Sequence, residues 1–101
     1  MKTFFPIDSK YIIKMSKAFR KDLKRLRQSG YDLQKLQFVV TLLAQDQPLP
    51  KQYNNHRLKG DRKNMEECHI APDWLLIYEK QDDVLILLLI ETGTHAQLFK
   101  Q

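Results

Sequence analysis

Seven apolar residues in a row, Val84–Ile90, limit what this chain can fold into more than any other stretch. The run is far short of the roughly 20 residues that cross a bilayer. It is also too continuous for a strand with one wet face, which alternates polar and apolar positions. It predicts a central β-strand over "VLILLLIE", residues 84–91, covered on both faces. That strand runs straight into "TGTH", where Gly93 is expected to make a turn. A histidine, His95, therefore stands at the mouth of the most buried strand.

Such a strand needs neighbours, and the preceding residues supply them. "MEECHI" alternates and reads as a strand, Pro72 interrupts, and "DWLLIYE" reads as another, with "KQDD" as the turn before the apolar run. These three make an antiparallel meander. Near the other end, "YIIKM" at residues 11–15 is a short strand. Ser16 can cap a helix over 17–28, in which Phe19, Leu23 and Leu26 recur at helical spacing and which Gly30 stops. Asp32 can cap a second helix with a stripe of Leu33, Leu36, Val40 and Leu43, widened by Val39 and Leu42 and ended by Pro48 and Pro50. Residues 47–63 are polar, aperiodic and proline-bearing, and read as a long loop of the kind that often carries function. The expected fold is α+β: a short N-terminal strand, then a helical hairpin packed on a small, mostly antiparallel sheet. A length of 101 residues fits a single domain over 1–101.

Charge is distributed unevenly. Residues 1–63 hold 15 of the 17 Lys/Arg and five of the 12 Asp/Glu, a balance of +10 against −5 in residues 64–101. A positive half attracts polyanions such as nucleic acid, or an acidic protein partner. The lone Cys68 rules out an internal disulfide and a four-cysteine zinc site, and fits a reducing compartment. "MKTFFPIDSK" lacks the apolar stretch of a secretory signal, so a cytoplasmic location without a membrane anchor is expected.

The chemistry-bearing residues converge by topology. In an antiparallel meander the end of one strand lies beside the start of the next. His69 ends one strand, Asp73 begins the next, and His95 follows the third as it returns to the same edge. His56 lies in the long loop that leads into this sheet. Imidazoles titrate near neutral pH, so such a rim suits proton transfer. No helical H-x-x-x-H spacing is present, so neither a metal site nor a cofactor is expected. Cys68 should face away from His69, because neighbours on a strand point to opposite sides. Trp74 and Tyr78 share a strand face and read as core.

Residues 49–99, about half the chain, resemble the C-terminal half of YafQ-type toxins of the RelE/ParE superfamily. The landmarks are "HRLKG", "ECHIAPDWLLIY" and "TGTHAQLF", in order and at close to the family's spacing. The N-terminal half is similar only in pattern, and residues 1–9 extend beyond the usual start. The resemblance implies a bacterial type II toxin–antitoxin system whose toxin enters the ribosomal A site and cuts mRNA without a metal. It implies an acidic antitoxin of the DinJ or RelB kind as partner, together with mRNA and the ribosome. Carried onto this chain, the family's catalytic positions are His56, Glu67, His69, Asp73, His95 and Phe99. Glu67 departs from the pattern, since relatives more typically carry Asp or a basic residue there. Arg57, Lys59, Arg62 and Lys63 are expected to contact RNA backbone. Two other readings share the fold: a gyrase-directed toxin of the ParE kind, and a non-catalytic interaction module.

Overall fold

A computed structural model describes residues 4–99; residues 1–3 and 100–101 of the expected domain lie outside the described residues. The chain runs β1 (Ile12–Met15), α1 (Lys17–Gln28), α2 (Leu33–Ala44), β2 (His56–Arg57), β3 (Glu66–Ala71), β4 (Trp74–Gln81), β5 (Ile86–Gly93) and α3 (His95–Phe99). The strands form one sheet in the order β1-β5-β4-β3-β2, with β1 parallel to β5 and the other pairs antiparallel.

Both long helices begin at the predicted caps. The Ser16 hydroxyl accepts from the Phe19 amide at 2.9 Å and donates to the Ile90 carbonyl at 2.6 Å, so one side chain starts α1 and ties it to β5. The Asp32 carboxylate accepts from the Gln34 amide at 3.1 Å. Gly30, at φ +78°, takes the left-handed position just past α1, which a Cβ would disfavour. The second helix stops at Ala44, ahead of the prolines. Asp46 sits there at φ 59° and holds Lys10 Nζ at 2.8 Å and Lys80 Nζ at 2.7 Å.

The two faces of the sheet carry different loads. Phe19 and Leu26 of α1 and Leu36, Val39, Val40 and Leu43 of α2 pack on Cys68, Ile70, Trp74, Leu76, Tyr78, Leu87 and Leu89. Each fully buried large apolar side chain contributes about 1.5–3 kcal/mol, so this helix face holds the fold together. The other face has a smaller cluster, Leu75, Ile77 and Leu98, joined by the partly buried Leu58, Met65, Ile90 and Phe99. That face can therefore tolerate charge.

The strand covered on both sides is β4, where Trp74–Tyr78 are all buried, and not β5 as its composition predicts. In β5 burial alternates, with Leu87 and Leu89 buried and Ile86, Leu88 and Ile90 only partly so. The cause is lateral position: α3 and the β2–β3 connection cover the centre of the second face and leave much of β5 uncovered. Val84 and Leu85, read as strand, lie in the turn and are 54% and 41% exposed. The expected 47–63 loop contains two short 3₁₀ turns, Lys51–Tyr53 and Gly60–Arg62, and the two-residue strand β2.

Candidate active site

Register decides which side chains reach the second face. Across β3 and β4, Glu67 lies opposite Ile77 and His69 opposite Leu75, so both acidic and imidazole groups share the face of the smaller cluster. Cys68 turns to the helix side, where burial pushes its thiol up to about 12. Between Ile77 and Tyr78 the β4–β5 register shifts by one: Ile77 is opposite Glu91, but Tyr78 is opposite Leu89. The extra residue reverses the alternation of β5. Leu87 and Leu89 face the helices before it, and Glu91 and Gly93 face the site beyond it. Thr92 then points into the helix-side core, where its hydroxyl accepts from Trp74 Nε1 at 2.9 Å and donates to the Leu75 carbonyl at 2.7 Å.

His95 is the first residue of α3. The start of that helix is fixed by a reciprocal cap: Thr94 N–H donates to Gln97 Oε1 at 2.9 Å and Gln97 N–H donates to Thr94 Oγ1 at 3.2 Å. Arg25 of α1 reaches the same Gln97 Oε1 and the Thr92 carbonyl, each at 3.2 Å. Gly93 is not the turn residue expected; it ends β5. A Cβ there would stand 2.6 Å from Gln97 Oε1 and 2.8 Å from Arg25 Nη2, so glycine makes room for the contacts that seat α3.

Three carboxylates occupy or border this face, and each is matched to a basic side chain. Asp73 Oδ1 lies 3.0 Å from His95 Nδ1 and accepts the His95 backbone N–H at 3.2 Å. Hydrogen bonding to the His95 ring, and then to its backbone N–H, holds the Asp73 carboxyl below its usual range. Glu67 is only 5% exposed, and one of its oxygens lies 3.3 Å from His56 Nε2 and 3.9 Å from His69 Nε2. The other ring nitrogen of His56 lies 3.0 Å from the Asn54 carbonyl. Glu91 accepts from Arg62 Nη2 at 2.8 Å. Aromatic contacts join the pairs: the His69 and His95 ring centroids are 5.9 Å apart, His95 and Phe99 6.3 Å, and the Arg62 guanidinium lies 5.8 Å from the Phe99 centroid.

All six candidate catalytic residues therefore gather on one face and its edge, with Arg62 among them. Arg57, Lys59 and Lys63 are exposed on the adjoining β2–β3 segment. The basic residues of α1 are different. Lys17, Arg20, Lys21, Lys24 and Arg27 are exposed on a helix that packs on the opposite face of the sheet, away from His69 and Glu67. Glu91, Gln97 and Arg25 were not among the residues picked out by sequence. The Thr94-x-x-Gln97 spacing was a readable capping signal; the bulge that turns Glu91 outward leaves none.

Residues 11–100 match the family model described as bacterial toxin of type II toxin-antitoxin system, YafQ. The mRNA interferase toxin YafQ of Escherichia coli K12 is 40% identical over 88 residues, covering 86% of this chain and 94% of that protein. A crystal structure of the E. coli DinJ-YafQ complex superposes with a TM-score of 0.82 at 39% identity, covering 88% of this chain and 98% of that one. A metal-bound toxin from Helicobacter pylori gives 0.82 at 46% identity, covering 86% and 97%. Among the described residues of the present chain, no group of three or more His, Cys, Asp or Glu is arranged to hold a metal ion.

Proposed function

The chain belongs to the YafQ family of type II toxin–antitoxin toxins, and from that premise we propose that it is an mRNA interferase: an endoribonuclease that cuts mRNA in the ribosomal A site. The single observation that carries the chemistry is the 3.0 Å contact between His95 Nδ1 and Asp73. An ionised Asp73 only accepts, so Nδ1 of His95 carries a proton and Nε2 is left to exchange one with substrate. The reaction is attack of the ribose 2′-OH on the adjacent phosphorus. One group removes the 2′-OH proton, the P–O5′ bond breaks, and a second group protonates the departing 5′-oxygen. The products are a 2′,3′-cyclic phosphate and a 5′-hydroxyl.

His95 is one proton-transfer group and His69, at 5.9 Å between ring centroids, is placed to be its partner. His56 and His69 share Glu67, one of whose oxygens lies 3.3 Å and 3.9 Å from their Nε2 atoms and orients both rings. Phe99 offers a ring beside His95 for a base to stack on. Arg57, Lys59 and Lys63 hold backbone phosphates. The proton transfers are assigned to side chains alone. The whole is one toxin domain acting in the bacterial cytoplasm, and no helix among the described residues is long and apolar enough to cross a membrane. The partner in the resting cell is an acidic antitoxin of the DinJ kind, as the DinJ-YafQ complexes of the relatives support.

The test is cleavage of a defined mRNA on programmed ribosomes in Mg²⁺ buffer, by protein first stripped of bound metal with chelator that is then dialysed away, scored for end groups beside a gyrase supercoiling assay. Cyclic phosphate ends from the stripped protein and no effect on gyrase are expected. Gyrase inhibition without RNA cleavage would replace this reading with the ParE-like one. Activity that is lost on stripping and restored by a transition metal would overturn metal independence alone.

A further inference from the structure

Glu91 is out of place on a face that must receive a phosphodiester, because a carboxylate there repels the substrate. It reaches that face only through the β-bulge opposite Ile77 and Tyr78; without the one-residue slip its side chain would enter the helix-side core. Asp73 and Glu67 are each matched to histidines. The partner of Glu91 is Arg62, whose Nη2 donates to it at 2.8 Å. The same guanidinium lies 5.8 Å from the Phe99 centroid, and Phe99 lies beside His95.

A guanidinium is a rigid planar fork, so holding one Nη sets the direction of the other. Arg62 Nη1 is shielded from solvent and has no hydrogen-bond partner among the described residues. An orphaned charged donor is unfavourable until something completes it. We propose that Glu91 is a positioning residue: it holds Arg62, whose side chain is 36% exposed, so that the guanidinium meets a non-bridging oxygen of the scissile phosphate beside His95, with Nη1 completing the contact once substrate displaces the groups that shield it. Glu91 itself does not touch RNA. This inference rests on the ribonuclease reading and adds to it a donor for the charge that develops on the phosphorane.

Charge alone and positioning predict opposite signs for Glu91→Ala. Removing a repulsive carboxylate should tighten RNA binding and leave the cutting step intact. Removing a positioning group should slow the cutting step. The experiment is single-turnover mRNA cleavage over a range of ribosome concentrations, for Glu91→Ala, Glu91→Gln, Arg62→Ala and the Glu91→Ala/Arg62→Ala double variant, each with a melting curve. Glu91→Ala is expected to lower the maximal rate by up to about 10²-fold, the scale at which a misplaced group costs rate, and to leave the half-saturation concentration little changed. Glu91→Gln, which keeps an acceptor oxygen, should recover part of the loss. The double variant should be no slower than Arg62→Ala, because the two residues act as one. Should Glu91→Ala fail to fold, the Gln variant is read against the same criteria. Tighter binding with an unchanged or raised maximal rate overturns the proposal, and so do fully additive losses. A wild-type protein that cuts no RNA removes the ribonuclease reading and this inference with it. Wild-type cleavage with fully active Glu91 variants removes this inference alone.

Discussion

Asp73 decides which nitrogen of His95 carries a proton. Its carboxyl is held below its ordinary value of 3.8, first by the hydrogen bond to the His95 ring. A depressed carboxyl stabilises the folded arrangement above its unfolded value and loses that contribution as pH falls through the lower folded value. At neutral pH it stays ionised, so a change of cleavage rate near neutrality does not arise from Asp73. Carbon-detected NMR titration should place the Asp73 midpoint below 3.8 in the wild type and move it upward in His95→Ala. A midpoint unchanged by that substitution would show that the contact does not form in solution. Asp73→Asn should lower cleavage by about 10²–10⁴, the usual worth of a positioned acid or base, because an amide N–H can face Nδ1 and favour the other tautomer.

Beyond single residues, the short helix α3 is the element on which the site depends. It is seated by the Thr94–Gln97 cap and by Arg25, and Gly93 leaves the space in which they meet. Gly93→Ala forces either Gln97 or Arg25 aside. Moving those flexible ends is cheap in itself, but an L side chain at φ +158° is strained by about 1–3 kcal/mol and the Thr94–Gln97 cap is disturbed, so His95 moves with the helix. A melting curve should show the loss, and cleavage should fall further than the fraction unfolded explains; wild-type stability and activity would refute the seating role. Helices α1 and α2 were legible because their signals are local: Ser16 and Asp32 as caps, and apolar residues at 3.6-residue spacing. The gathering of His69, Asp73 and His95 was legible from meander topology. The strand β2 is only two residues long, too short to show a period. The apolar run of β5 pointed to two-sided burial, but cover depends on where α3 and the loop fall, and they fall over β4. Glu91 was missed because a bulge reverses alternation without changing composition.

At the scale of the whole molecule, the helix face holds the fold and the opposite face carries the candidate chemistry. Among the described residues the basic groups of 1–63 are thus divided between two sides: those of α1 lie mostly on the helix side, and those of the Arg57–Lys63 segment adjoin the site. Arg62 is paired with Glu91 and assigned to the scissile phosphate, so the residues proposed to hold RNA backbone around it are Arg57, Lys59 and Lys63. Neutralising these three should weaken ribosome or RNA binding and reduce the slope of log K against log salt by up to about 2, at roughly 0.7 per single-stranded phosphate contact. The maximal single-turnover rate should hardly change. A lost maximal rate with unaltered binding would place them in the cutting step instead. The most direct test of the central claim is single-turnover cleavage of mRNA on programmed ribosomes by wild-type protein and His95→Ala at saturating ribosome concentration. The folded variant should cut about 10²–10⁴ more slowly with its half-saturation concentration unchanged. A folded His95→Ala protein that cuts at the wild-type rate would contradict the claim that His95 moves a proton in this reaction.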